Sequence, residues 1–467
     1  MRMMSPILVL GPLIWLNGCA TYEPRPLDAR AEMAGLSARG LPDVNTIRAD
    51  SFLGSNAAPA FDTSDGLTED EAVAVALTLN TDLRAARAGL GEFKALLIGA
   101  KVFPNPEVGV GVRPGFGGTP GLVVDTDLLF ELLKPGERSA RIGAATAKSE
   151  QARAEILAKE YDLATRVRGQ VFAVLVAEQT AAALAEEVSL RERAESLIRS
   201  RRQLGEANEL DTSAAALELA EVRRDHRLAL VGLQATRFEL NRLMGVPPSY
   251  EVRLTDAGRP LTVVLFDDPS DADLTERVLG GRLDLRAKEA EYRAAEEELR
   301  LAVSRQYPRI KIGPSFEHDG VSDNYIGVGA TVELPIFDRN QGGIAGASAA
   351  RDRLREEYTA LLHRLTSSAF AARAKARAIR AEVDAQEREV LPLLKRSQDL
   401  SRGAFEARDL SVLDWITSQQ RALRTRRAYI DTLASYRQAL IDLDDATGLS
   451  ITHARSSGTP IPAEQAK

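Results

Sequence analysis

Cysteine is almost missing from this chain: Cys19 is the single one in 467 residues. One thiol cannot build an internal disulfide framework or a thiolate metal cluster. Other soft metal donors are also scarce. There are five methionines, of which only Met33 and Met244 lie beyond the first few residues, and four histidines. His226, His318, His363 and His453 are far apart, and none belongs to an HExxH or Cys/His array. No site for a soft metal, and no cofactor, is expected. The chain also lacks a strong positive charge. Its net charge is −7, and arginines and glutamates are interleaved, which excludes the basic footprint of a nucleic-acid binder. The glycines of "PGFGGTPG" are not followed by Lys-Ser/Thr, so they read as a hairpin turn and not a phosphate loop. No nucleophile stands beside a base in any recognisable pattern, and an enzyme is not expected. Beyond Leu16 there is no run of about 18 apolar residues, so no membrane-spanning helix is expected in the processed chain.

The N-terminus carries the first positive signal. Arg2, an apolar run from Pro6 to Leu16, and then Leu16-Asn17-Gly18-Cys19 fit a lipoprotein signal peptide over residues 1–18. Cys19 would then be the first processed residue, carrying a covalent lipid (diacylglyceryl and N-acyl). Two or more acyl chains anchor stably where one does not. The alternative is a buried free thiol near the terminus. Ala20, not Asp, follows the cysteine. That favours sorting to the cell outer membrane of a Gram-negative bacterium.

The strongest signal is a tandem duplication. "LTEDEAVAVALTLNTDLRAARAGL" from Leu67 is answered by "LTERVLGGRLDLRAKEAEYRAA" from Leu274. Asp82–Ala85 and Asp284–Ala287 both read Asp-Leu-Arg-Ala. Phe103-Pro104 matches Tyr307-Pro308, "EANELD" from Glu206 matches "EARDLS" from Glu406, and Gly245 matches Gly448. The offset stays near two hundred residues, far longer than a solenoid repeat. Two similar halves of one body are expected, over 67–245 and 274–448. Residues 19–66 and 246–273 stand outside them, with a flexible tail at 449–467.

Each half has the same internal order. A helical stretch (about 68–101 and 275–306) precedes a β-hairpin (102–133 and 307–335). Val108, Val110 and Val112 alternate with glycines, the period of a strand with one apolar face. A long helix follows, over about 137–203 and 340–402, reaching roughly 100 Å at 1.5 Å per residue. The first has no proline and the second only Pro392. Helix length without caps, and the alanine-rich composition, point to coiled-coil packing. A break near 205 or 403 leads into a last helix. In the first of these, Leu219, Val222, His226, Ala229, Leu233, Thr236, Leu240 and Leu243 form a heptad seam. Four short strands cannot close a membrane barrel, since about eight are needed. An open sheet in lipid leaves backbone groups unpaired. If these strands enter a membrane, several chains must share the barrel.

This succession of lipobox, "YEPRPLD" and a duplicated helix–hairpin–long helix–break–helix resembles the outer membrane factor (TolC) family of efflux channels. Within that family it is most similar to the lipoprotein members of the CzcC/CusC-like group, paired with heavy-metal pumps of the RND type. The resemblance covers the whole processed chain. It implies a mainly α fold with a small β part: a homotrimer with an α-barrel of long coiled-coil helices and a shared 12-stranded transmembrane β-barrel. An equatorial belt would come from 19–66, 246–273 and the tail. It implies a passive exit duct carrying substrate, heavy-metal cations first, from periplasm to exterior. The partners would be outer-membrane lipid, a periplasmic adaptor (membrane fusion protein) and an inner-membrane RND pump. The tips Leu204, Gly205, Glu206 and Ala207, and Gly403, Ala404 and Phe405, would meet the adaptor. Asp414 would line the periplasmic aperture. Ser411 stands where the family has a second aspartate, and Asp409 is a candidate replacement. The competing reading makes Asp409 a helix cap and Asp414 a first-turn acid. Three alternatives stay open for the whole chain: a duct for drugs, a type I secretion channel, and a structural coiled-coil lipoprotein.

Overall fold

The structure is a computed structural model that describes residues 21–42, 66–114, 122–134, 136–255, 266, 268–318, 323–407 and 409–448. Cys19, the signal segment and the tail beyond 448 lie outside the described residues. A short helix, α1 (Ala29–Ser37), is capped by Asp28 and buries none of its own residues.

The first repeat opens on a capping box. The Glu71 amide donates to Thr68 Oγ1 at 3.3 Å, and the Thr68 amide donates to Glu71 Oε2 at 2.9 Å. The stretch read as one helix is three: α2 (Glu69–Leu79), α3 (Thr81–Ala88) and α4 (Leu90–Lys101). Asn80 makes the first break. Its side chain accepts from the Leu83 amide and donates to the Leu243 carbonyl, both at 2.9 Å. Strands β1 (Glu107–Pro114) and β2 (Leu122–Leu132) follow, then α5 (Glu137–Gln203) and α6 (Glu209–Met244).

The second repeat runs α7 (Asp271–Gly281), α8 (Leu283–Ser304), β3 (Arg309–His318), β4 (Asn324–Glu333) and α9 (Gln341–Ala385). Here the long helix is interrupted. A single π turn, Gln386–Val390, separates α9 from α10 (Leu391–Glu406), and α11 (Val412–Thr447) completes the repeat.

The helices form a layer of four staves. α5 is one and α9–α10 another. The remaining two are composite: α8 and α11 both pack between α5 and α9, and α6 lies on the other flank of α5, beneath α2. Two glycines make the end-to-end joints. Gly245 (φ 75°) caps α6, and a Cβ there would strike the Leu79 carbonyl at the α2–α3 break. Gly448 (φ 71°) caps α11, and a Cβ there would strike the Gly281 carbonyl at the α7–α8 break. Both need glycine twice over, for the left-handed backbone and for the close approach.

One apolar core lies among α2, α5 and α6, and includes Val75, Val167, Leu240 and Met244. Another lies among α7, α9 and α11, and includes Leu274, Ala369, Tyr436 and Leu443. The α6 seam faces inward: Leu219, Val222, Leu240 and Leu243 are buried, and His226, Ala229, Leu233 and Thr236 are half-buried. Between α5 and α8 the buried residues are mostly alanine, which lets the two helices approach closely. Among the described residues no helix is long and apolar enough to cross a membrane.

Candidate channel wall and helix tips

The two hairpins join into one antiparallel sheet in the order β1-β2-β3-β4. Its register sorts every side chain to one of two faces. Val110 pairs with Thr126, Thr126 with Phe316, and Phe316 with Ile326, so these share a face. By the two-residue period, Val108, Val112, Val124, Leu128, Phe130, Ile310, Ile312, Val328 and Val332 join them. That face is uncovered: Ile326 is 86% exposed and Val328 74%.

The opposite face is charged. Lys311 Nζ lies 2.7 Å from Glu107, Arg113 lies 3.2 Å from Glu317, and Arg309 lies 3.7 Å from Glu333. Asp125 and Asp127 add further acid there. Glycines make room for these side chains. A Cβ at Gly111 would collide with the Asp125 carboxylate, and one at Gly329 would sit 3.3 Å from Asp127 Oδ1. The β2–β3 pairing skips between Asp127–Ser315 and Phe130–Ile312, and there a Cβ at Gly313 would collide with the Leu128 carbonyl. An apolar face and a charged face on one sheet, with β1 and β4 both unpaired on their outer sides among the described residues, are the parts of a barrel wall.

The opposite end of the layer holds the tips. At the first, Leu204 caps α5, and Gly205 (φ 76°) turns the chain. The Gly205 amide donates to the Arg202 carbonyl at 3.0 Å, and the Glu206 amide to the Arg201 carbonyl at 2.9 Å. Asn208 opens α6 with a capping box to Asp211. Arg202 then spans the turn, reaching Glu209 and Thr212 at 3.4 Å each. Leu204 is 75% exposed, and Glu206 and Ala207 share this loop.

The second tip corrects the sequence reading. Gly403, Ala404 and Phe405 are not a turn; they lie within α10, which ends at its cap Ala407, and α11 opens at its cap Ser411. Gly403 is an ordinary helical residue with nothing within 4 Å of a Cβ placed on it. Good helix formers at 404–407 carry the helix another turn, and Phe405 stacks on Trp415 with ring centroids 4.9 Å apart. That aromatic pair was visible in the sequence only as two isolated residues.

Ser411, and not Asp409, caps α11. Its hydroxyl accepts from the Asp414 amide at 3.1 Å and donates to Asp414 Oδ2 at 2.6 Å. Asp414 is an exposed first-turn acid, and the exposed Asp409 donates its amide to the Ala404 carbonyl at 2.8 Å. The structure therefore brings Ser411 and Asp414 together, and holds Asp409 by its backbone.

Between sheet and tips, buried charges tie the staves together. Arg87 of α3 reaches the fully buried Glu160 of α5 at 2.7 Å and also holds the Leu77 carbonyl at 2.7 Å. Burial raises the Glu160 carboxyl, and Arg87 opposes that rise. Further along α5, Arg191 pairs with Glu218 of α6, and Arg427 of α11 lies 3.5 Å from Glu187. The Tyr161 hydroxyl donates to the Asp444 carbonyl at 2.8 Å, and burial followed by the charge of Asp445 pushes its pKa up to about 12. None of these pairings, each between residues far apart in sequence, was readable from residue spacing. Among the described residues no three His, Cys, Asp or Glu side chains converge on a metal-sized site.

Residues 274–449 match the model of the outer membrane efflux protein family. The chain is 27% identical to the cobalt-zinc-cadmium resistance protein CzcC of Cupriavidus metallidurans, over 86% of this chain and 95% of that one. Among solved structures, the CmeC outer membrane channel of Campylobacter jejuni superposes with a TM-score of 0.68 at 16% identity, covering 88% of this chain and 94% of that one. CusC superposes with a TM-score of 0.64 at 19% identity, covering 85% and 96%. The matched segment is the second repeat, and the first is its duplicate in sequence and in fold. The second repeat thus carries the pattern of the outer membrane efflux protein family, and the whole chain shares the fold of these solved outer membrane channels.

Proposed function

We propose that this chain is the outer-membrane exit duct of a tripartite efflux system, carrying heavy-metal cations passively from periplasm to exterior. The observation that carries the reading is the sheet: apolar on one face, charged on the other, and open at both edges. Such a sheet is stable in lipid only when other copies complete it. Three copies give twelve strands, and their staves give twelve helical positions in the tunnel below. The outer flanks of α6 and α9–α10 fit this closure, since they carry exposed Leu217, Leu228, Val231, Leu393 and Leu400. Lipid on Cys19 adds a tether, and the tips at 204–207 and 407–411 face the adaptor and, through it, an inner-membrane pump.

The metal assignment rests on the likeness to CzcC. The charged face agrees with it, because Asp125 and Asp127 add negative charge beyond the three cross-strand pairs, and carboxylates attract cations. At the aperture, Asp414 from each copy, held by Ser411, supplies a second negative ring. Purified protein in planar bilayers tests this. Cation-selective conductance that rises in Asp414→Ala is expected. Conductance and selectivity unchanged by that substitution would remove Asp414 from the aperture, and absent conductance would overturn the duct. A deletion strain challenged with cobalt, zinc, cadmium and a drug panel separates metal cargo from organic cargo.

A further inference from the structure

The helix-side ends of both hairpins share a composition that conduction does not require. Val102, Phe103, Tyr307, Leu334, Ile336 and Phe337 surround the feet of the sheet and are 56–91% exposed. Among them stand Lys101, Arg138, Arg305 and Arg339, all exposed, and the half-buried Arg141. None of these five cations has a carboxylate partner among the described residues. Arg309, one step into the sheet, pairs with Glu333 instead.

The guanidiniums are held by backbone. Arg138 Nη2 donates to the Lys101 carbonyl at 3.4 Å, Arg141 Nη2 to the Val102 carbonyl at 3.2 Å, and Arg339 Nε to the Pro335 carbonyl at 3.2 Å. Arg138 also lies 5.0 Å over the Phe103 ring. A guanidinium has five donors, so each keeps several free after one carbonyl contact. Carbonyls fix the position of these groups without neutralising them. Both repeats contribute, so the charge is spread along the whole foot of the sheet.

We propose that this rim is a docking collar for the phosphate headgroups of anionic phospholipid in the leaflet nearest the helices. The proposal rests on the barrel reading above. Charge complementarity selects the occupant: arginine matches a phosphate in two-point geometry, and exposed aromatic and aliphatic groups beside it suit the headgroup–acyl boundary. A zwitterionic headgroup cancels most of that attraction. The hairpin turns mark the far end of the sheet, so lipopolysaccharide phosphate in the opposite leaflet is the wrong source.

Native mass spectrometry of the full chain in non-ionic detergent tests this, with phosphatidylglycerol and phosphatidylethanolamine added in equal amounts. Conductance of the same preparation is recorded in phosphatidylcholine bilayers. Phosphatidylglycerol adducts should exceed phosphatidylethanolamine adducts by about tenfold, as several juxtamembrane cations acting together would give. The Arg138→Gln/Arg305→Gln/Arg339→Gln variant should approach parity while conductance stays normal. Should the triple variant misfold, Arg339→Gln alone should still lower the ratio several-fold. Equal retention by the unaltered protein, an undiminished preference in the variants, or a preference for lipid A would overturn the collar and leave the duct standing. Absent conductance in the unaltered protein would overturn the duct and the collar with it.

Discussion

The two repeats share one plan but differ at their tips. In the first, α5 runs 67 residues without a break into a turn fixed by a left-handed glycine, a capping box and Arg202. In the second, a π turn divides the long helix, Pro392 follows, and α10 buries none of its residues. Tyr429 and Thr432 of α11 hold that π turn, through Glu387 at 2.8 Å and Gln386 at 3.1 Å. The duplicated sequence has kept its joints and loosened one tip. A π turn in a long helix recurs at functional sites. The second tip is therefore reached by an interrupted and less buried helix than the first.

The largest effect expected is at the joints, where the repeats agree. Gly245→Val and Gly448→Val each force a β-branched residue into φ near +70° and against a carbonyl. Each should cost several kcal/mol and abolish the three-chain species in detergent, as read by size-exclusion chromatography with light scattering. Survival of either oligomer would break the claim that both repeats use the same joint.

Next is the buried ion pair of the first repeat, whose acid is fully buried, whereas Glu357, the partner of Lys288 in the second repeat, is 38% exposed. Arg87→Met leaves Glu160 buried without its cation, a loss of about 3–5 kcal/mol. The loss should shrink in acid. The folded carboxyl titrates above its ordinary value of 4.5, so the folded state holds a proton that the unfolded state releases. That contribution is complete below 4.5 and disappears as pH rises through the folded pKa. The melting-temperature deficit of the variant should be smaller at pH 5 than at pH 8. An equal deficit at both would contradict the assignment.

The tip glycines separate the repeats more finely. Gly205→Ala should lower stability by about 1 kcal/mol, because its left-handed backbone disfavours a Cβ. Gly403→Ala sits in open helix and should raise it by up to about 1 kcal/mol. Melting curves showing the same sign for both would mean that the tips are alike after all.

The smallest effect is spectroscopic. Tyr161 in the first repeat and Tyr429 in the second are both pushed up to about 12, burial being the main cause. Absorbance at 295 nm should show folded protein delaying these two beyond the ordinary value near 10. The neutral form is the one stabilised, so their contribution to stability is complete below pH 10 and is lost as pH rises through 12. Tyrosines that all titrate together near 10 would contradict this.

The sequence made much of this plan legible because its signals are local or repeated. Alternating valines and glycines read as strand, the seam from Leu219 to Leu243 as helix, and the duplication as two halves. The features it hid depend on partners far along the chain. Asn80 breaks a helix because Leu243 offers it a carbonyl, and the π turn is held from α11. The second tip was misplaced because glycine at 403 looks like a helix end, whereas the aromatic stack beyond it keeps the helix going. Asp414 was legible as a first-turn acid, but the cap of α11 fell to Ser411 and not to Asp409.

The central claim is that the open edges of the sheet are completed by other copies of the chain. Cysteine pairs placed along β1 and β4 in a Cys19→Ser background test it directly, since that background has no other thiol. Oxidation in membranes should link β1 of one copy to β4 of the next at one register and yield a species of three chains. A chain that stays monomeric, or links β1 to β4 only within itself, would contradict the account.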